Sequence, residues 1–180
     1  MTTLPQSPLV LVDTSLLLAA EGISDAPNQV EPSKALLDLL DGTRARPVVS
    51  IVTLVELRLR SPMPYIPASA KTIGLDLFTL EGVDFQDLWA SRDTQPNRRA
   101  CVKADILIVA SAVGHSVDLA VAWDQGMLNM STRAGLRALN PTEAVALLNR
   151  PRGSSAGAAT RQLDLLPDGG DSPEPPSRRR

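Results

Sequence analysis

Leu9, Val10, Leu11 and Val12 form an unbroken apolar run that ends at Asp13-Thr14-Ser15, the pattern of a strand buried on both faces. From Pro32 to Leu40 the apolar positions change to helical spacing, with Leu36, Leu37 and Leu40 on one side, Pro32 suited to the first turn and Asp41-Gly42 as the stop. Pro47-Val48-Val49 predicts a second short strand, followed directly by a helix from Val52 to Arg60 that Pro62, Pro64 and Pro67 bring to an end. Alternation over Ile73 to Leu80 predicts a third strand, and Asp84 to Arg92 a helix with Phe85, Leu88 and Trp89 inward. After the polar loop Pro96-Asn97-Arg98-Arg99, a strongly apolar helix is expected from Val102 to Val113, closed by Gly114. Asp118 to Ala122 reads as a fourth strand leading into Trp123-Asp124, and Pro141 to Leu148 as a closing helix. Strands separated by helices imply an α/β fold: a mainly parallel sheet with helices on both faces.

Composition narrows this further. Hydrophobic residues make up 43% of the 180 residues but aromatics only 3%, so the core must be aliphatic. From Pro151 onward Pro, Gly, Ser, Ala and Arg dominate, so a single domain over 1–150 and a disordered tail over 151–180 are expected. One cysteine, Cys101, excludes an internal disulfide, and one histidine, His115, leaves too few ligands for a Cys/His zinc site. Cys101 is read as a small apolar filler and His115 as a surface residue. No signal peptide or membrane-spanning run is visible, and a cytoplasmic location is expected. The net charge of -2 offers no general attraction for nucleic acid, so any polyanion must be held by a local basic patch or by metal.

Four acids fall where an open parallel sheet places its ligand crevice, at the carboxyl ends of strands. Asp13 and Asp124 each follow a strand, whereas Glu56 and Asp105 lie in the first turns of helices. Each has a structural explanation when taken alone. Asp13 suits the cap of a following helix, Thr53-Leu54-Val55-Glu56 has the form of a capping box, Asp105 suits a helix start, and Asp124 suits a turn. Together at one edge, four carboxylates repel unless a cation neutralises them, and hard oxygen donors select Mg²⁺ or Mn²⁺. Arg98, Arg99 and Lys103, just before the Asp105 helix, are the candidates for holding phosphates that the carboxylates would repel. Arg58 and Arg60 are read as surface residues, and Trp123 as either packing or a base-stacking platform.

At these residues the sequence resembles the PIN domain family, and especially its VapC-type toxins. The resemblance runs through Leu11-Val12-Asp13-Thr14-Ser15-Leu16-Leu17, Ser50 to Leu57, Lys103 to Ala112, the apolar strand ending in Asp124, and Asn140-Pro141-Thr142-Glu143, and covers about Leu9 to Leu148. It implies a three-layer α/β/α fold with about five strands, and a Mg²⁺- or Mn²⁺-dependent endoribonuclease, commonly a homodimer, held inactive by a cognate antitoxin protein. By motif, Asp13 and Asp105 become the principal metal ligands. Glu56 and Asp124 would bind through water or position the attacking water, with Thr14 and Ser15 beside the site. The implied chemistry is metal-assisted hydrolysis of RNA without a protein nucleophile. Many relatives carry Thr or Ser followed by Arg before the fourth acid, where this chain has Ala122-Trp123.

Two other readings compete. A phosphatase of the haloacid dehalogenase type also places Asp after its first strand, but it needs Asp-x-Asp and this chain has Ser15 at the second position. A PIN-like fold that binds RNA or protein without cutting would follow if the change at Ala122 spoils the metal geometry.

Overall fold

A computed structural model describes residues 4–61, 65–75 and 103–150 of the chain. The helix expected over Asp84 to Arg92, the loop with Arg98 and Arg99, Cys101, Trp89, the side chain of Lys103 and everything from Pro151 onward lie outside the described residues.

The described elements run β1 (Leu9–Val12), α1 (Thr14–Ala20), a single 3-10 turn (Pro27–Gln29), α2 (Val30–Gly42), β2 (Arg46–Ser50), α3 (Ile51–Arg60), β3 (Lys71–Ile73), α4 (Lys103–Gly114), β4 (Leu119–Val121), α5 (Gln125–Arg133), β5 (Arg137–Leu139) and α6 (Pro141–Leu148). The five strands form one sheet in the order β3-β2-β1-β4-β5, and every neighbouring pair is parallel. This is a three-layer α/β/α fold.

The period of two along each strand sorts side chains onto two cores. Val10, Val12, Val49, Leu119 and Val121 face a layer built from Leu16, Leu17, Leu36, Leu37, Leu40, Leu57 and Ala144 of α1, α2, α3 and α6. Leu11, Val48, Ile73, Ala120 and Ala122 face Ile106, Ile108, Val109, Met127 and Met130 of α4 and α5. On this second face the small Ala120 of β4 and Ala122 just after it share a cluster with the long, flexible Met127 and Met130. Each fully buried leucine contributes on the order of 1.5–3 kcal/mol of transfer free energy, which is what holds both layers against the sheet. Pro47 sits in β2 one position before its pairing with β3 begins at Val48, where a missing donor does little harm.

Three differences from the sequence reading concern short elements. The third strand occupies Lys71–Ile73 and shares only Ile73 with the span expected over Ile73 to Leu80; Gly74 and Leu75 are irregular, 76–80 lie outside the described residues, and the strand is mostly exposed, as an edge strand can be. Helix α1 follows Asp13 immediately and stops at Gly22, whose φ of +75° lets its N–H and that of Ile23 cap the carbonyls of Ala19 and Leu18. Helix α5 and strand β5 complete the sheet between Asp124 and Asn140. No helix among the described residues is long and apolar enough to cross a membrane.

Candidate active site

The sheet order places a switch point beside β1: the chain moves outward to β2 and β3, then returns to the other side of β1 for β4 and β5. In parallel sheets this leaves a crevice at the carboxyl ends of the two strands flanking the switch. Asp13 and Trp123-Asp124 are the residues at that edge, and Asp13 N–H still bonds the carbonyl of Val121 across it.

Asp13 is buried, with 4% of its surface exposed. It caps α1: its Oδ2 accepts from Ser15 N–H at 3.0 Å and from Ser15 Oγ at 2.6 Å. Those bonds favour the charged form, but burial outweighs them and the carboxylate of Asp105 adds repulsion, so the pKa rises from 3.8 to about 6. The sequence places Asp105 92 residues away, and α4 brings it within electrostatic reach in the first turn.

Glu56 is half-buried on α3, and its Oε2 accepts from Thr14 Oγ1 at 2.5 Å. The capping box suggested by Thr53-Leu54-Val55-Glu56 does not form. Ser50 caps α3 by accepting from Val52 N–H at 3.2 Å, and Thr53 Oγ1 is buried with no partner. Glu56 is therefore engaged across the fold, beside the residue that follows Asp13. Asp124 behaves differently. It is exposed, and its Oδ1 accepts from Met127 N–H at 2.9 Å as the cap of α5. A Cβ on Gly126 would lie 2.9 Å from that oxygen, so a larger residue there would require the exposed Asp124 side chain to shift.

Asp105 thus lies within electrostatic reach of Asp13, Glu56 bonds Thr14, the residue that follows Asp13, and Asp124 stands at the same edge serving a helix end. Among the described residues no three carboxylate, histidine or cysteine side chains are grouped closely enough to hold an ion by themselves. A pair of carboxylates, one of them buried and its charge opposed by the other, fits a hard cation of the Mg²⁺ type, which commonly takes one or two protein carboxylates and completes its shell with water and phosphate. Arg58 and Arg60 are exposed on α3, as read from the sequence.

Two connections at this edge had no sequence signal. Ser15 Oγ, besides donating to Asp13, accepts from Trp123 N–H at 3.0 Å, and Trp123 Nε1–H donates to Ser33 Oγ on α2 at 2.8 Å. They join β1, β4 and α2 through residues far apart in sequence, and hydroxyl and indole groups carry no spacing rule that would reveal them. His115, half-buried rather than on open surface, donates from Nε2 to the carbonyl of Gly74 at 3.0 Å.

Comparison with known protein families returns no match for this chain, and comparison with curated proteins returns none.

Proposed function

We propose that the chain is a PIN-type, Mg²⁺- or Mn²⁺-dependent endoribonuclease and acts as the toxin of a toxin-antitoxin pair. The observation that carries this reading is the meeting of Asp13 and Asp105 at the carboxyl edge beside the switch point, with Asp13 buried and its charge destabilised. A cation neutralises such a pair, whereas an ordinary structural role would leave the cost of burial standing.

In this reading Asp13 and Asp105 hold the cation, which when bound lowers the pKa of water and stabilises charge on phosphate oxygens. Ser15 fixes Asp13 Oδ2 by two hydrogen bonds, so the carboxylate is oriented before any ion arrives. Thr14 occupies Glu56 Oε2, which leaves Glu56 Oε1 to take a proton from the attacking water. Asp124, at the rim, orients water or the leaving side of the phosphodiester. No side chain needs to form a covalent intermediate. Exposed Ile51, Val55 and Leu59 recur every four residues along α3 and form an apolar stripe, which supports a protein partner, either a second copy or an antitoxin.

The test is cleavage of a generic RNA by purified parent, Asp13→Asn and Asp105→Asn proteins in Mn²⁺, with RNA ends sequenced after expression of the parent and the Asp13→Asn form. Metal-dependent cuts by the parent and loss of cutting by both variants, with folds intact, are expected. Variants that cut at the parent rate would remove the mechanism. The engagement of Asp124 as a helix cap favours one second reading, a PIN-like module that binds RNA without cutting, in which case parent protein in Mn²⁺ retains RNA whole.

A further inference from the structure

Ser33 is a fully buried hydroxyl on α2 that takes no part in the hydrolysis as proposed. It accepts from Trp123 Nε1–H at 2.8 Å and passes its own hydrogen to the carbonyl of Gln29 at 2.7 Å. The indole is thereby held by its polar atom, while the half-buried residue packs on the layer that contains α1 and α2. Taken alone, this is the ordinary way an interior indole satisfies its N–H.

The main chain of the same residue does something that packing does not require. Strand β4 ends at Val121, and Ala122 N–H still bonds the carbonyl of Leu139, so Trp123 N–H is the first donor after the ladder stops. It goes to Ser15 Oγ at 3.0 Å. A hydroxyl carries one hydrogen and can rotate it to suit its neighbours. With Trp123 N–H on a lone pair, the hydrogen of Ser15 is directed to Asp13 Oδ2, 2.6 Å away, where it joins Ser15 N–H at 3.0 Å. Two bonds to one oxygen restrict the rotation of that carboxylate. The path from α2 to the acid is therefore unbroken: Ser33 to the indole, the covalent frame of Trp123, its N–H to Ser15, and Ser15 to Asp13.

We infer that Ser33 and Trp123 are positioning residues for a cation at Asp13, acting through Ser15. This rests on the metal-dependent reading and adds to it that the aim of the carboxylate is set from α2 as well as from its own turn. A carboxylate aimed in advance meets a cation without first losing rotational freedom, and hydrogen bonds that support a metal ligand directly are worth about 10- to 100-fold in affinity.

The experiment is Mn²⁺ binding to the RNA-free protein, followed by electron paramagnetic resonance of the free ion. It compares parent, Ser15→Ala, Ser33→Ala, Trp123→Phe and the double variant Ser15→Ala/Ser33→Ala, with folds verified by circular dichroism. Ser15→Ala is expected to bind about 10- to 100-fold more weakly, and Ser33→Ala and Trp123→Phe, which cut the path further from the acid, each about 3- to 10-fold. In the Ser15→Ala background Ser33→Ala should add no further loss, because the path is already broken. Leu36→Ala removes packing from the same helix but no bond of the path, and should bind Mn²⁺ as the parent does. Trp123→Phe keeps the main-chain donor and the aromatic contact, and carries the comparison if Ser33→Ala does not fold. Parent-like binding by Ser33→Ala and Trp123→Phe, an equal loss in Leu36→Ala, or the same loss from Ser33→Ala with and without Ser15 overturns the positioning role alone. A parent that takes up no Mn²⁺ overturns it together with the metal-dependent reading.

Discussion

Replacing Asp13 by Asn should make the metal-free protein more stable at neutral pH while abolishing its proposed activity. Asp13 is buried and its pKa rises from 3.8 to about 6 on folding, chiefly through loss of solvent. A raised folded-state pKa means that the native state holds its proton more tightly than the unfolded chain. The stability this supplies is fully present below pH 3.8 and is lost as pH rises through about 6. The difference between 3.8 and about 6, at about 1.4 kcal/mol per pH unit, amounts to about 3 kcal/mol. Asn keeps an oxygen to accept from Ser15 and removes the charge. The stability difference between Asp13→Asn and parent, measured by urea denaturation in EDTA, should therefore be near zero at pH 4 and about 3 kcal/mol above pH 7. For a chain of this length that corresponds to about 6–12 °C in Tm. Saturating Mg²⁺ should raise the stability of the parent but not of the variant, because only the parent gains by linkage to a bound cation. A difference that stays flat from pH 4 to 8 would show that Asp13 bears no buried charge. Equal stabilisation of both proteins by Mg²⁺ would place the ion elsewhere.

Other consequences of the geometry can be measured singly. Thr14→Val removes the donor to Glu56 and should lower kcat for RNA cleavage by about tenfold or more, the worth of a hydrogen bond to a charged group, while Thr14→Ser retains most of the rate. Asp124→Ala removes the oxygen that accepts from Met127 N–H and should cost about 1 kcal/mol in urea denaturation through loss of the α5 cap, while Asp124→Asn keeps most of that stability. Leu36→Ala, at a fully buried position between α2 and the sheet, should cost about 2–5 kcal/mol by the same assay.

The legible parts of the fold were those in which neighbouring residues agree. β1 was read to the residue because four aliphatic side chains lie between Pro8 and Asp13, and α6 because Asn140, Pro141 and Glu143 place a cap, a first-turn proline and a capping box in order. Helix α1 has seven residues, five of them Leu or Ala, and so short an apolar run has no periodicity to separate helix from strand. Strand β5 is three half-buried residues, Arg137–Leu139, held by pairing with β4 rather than by a pattern of its own. In α5 the inward Met127 and Met130 are set among Gln125, Gly126, Asn129, Ser131 and Thr132, a short stretch with only Leu128 besides them apolar, which hides the helical spacing, although Asp124 as cap was a usable signal. At the edge of the sheet, Asp13 and Asp105 were legible as acids after a strand and at a helix start. The Thr14 bond to Glu56 and the chain from Trp123 through Ser15 to Asp13 were not, since they depend on how α1, α3 and β4 are set around the switch point.

The central position of β1 also governs when the molecule becomes competent during its synthesis. One side of β1 pairs with β2 within some forty residues of chain, but the other waits for β4, with Val10 opposite Leu119. At about 5–20 residues per second, the ribosome leaves that second flank open for several seconds. Asp105 is likewise added late. A nascent chain can build its first hydrophobic layer early, but it cannot assemble the carboxylate pair until Asp105 has been made.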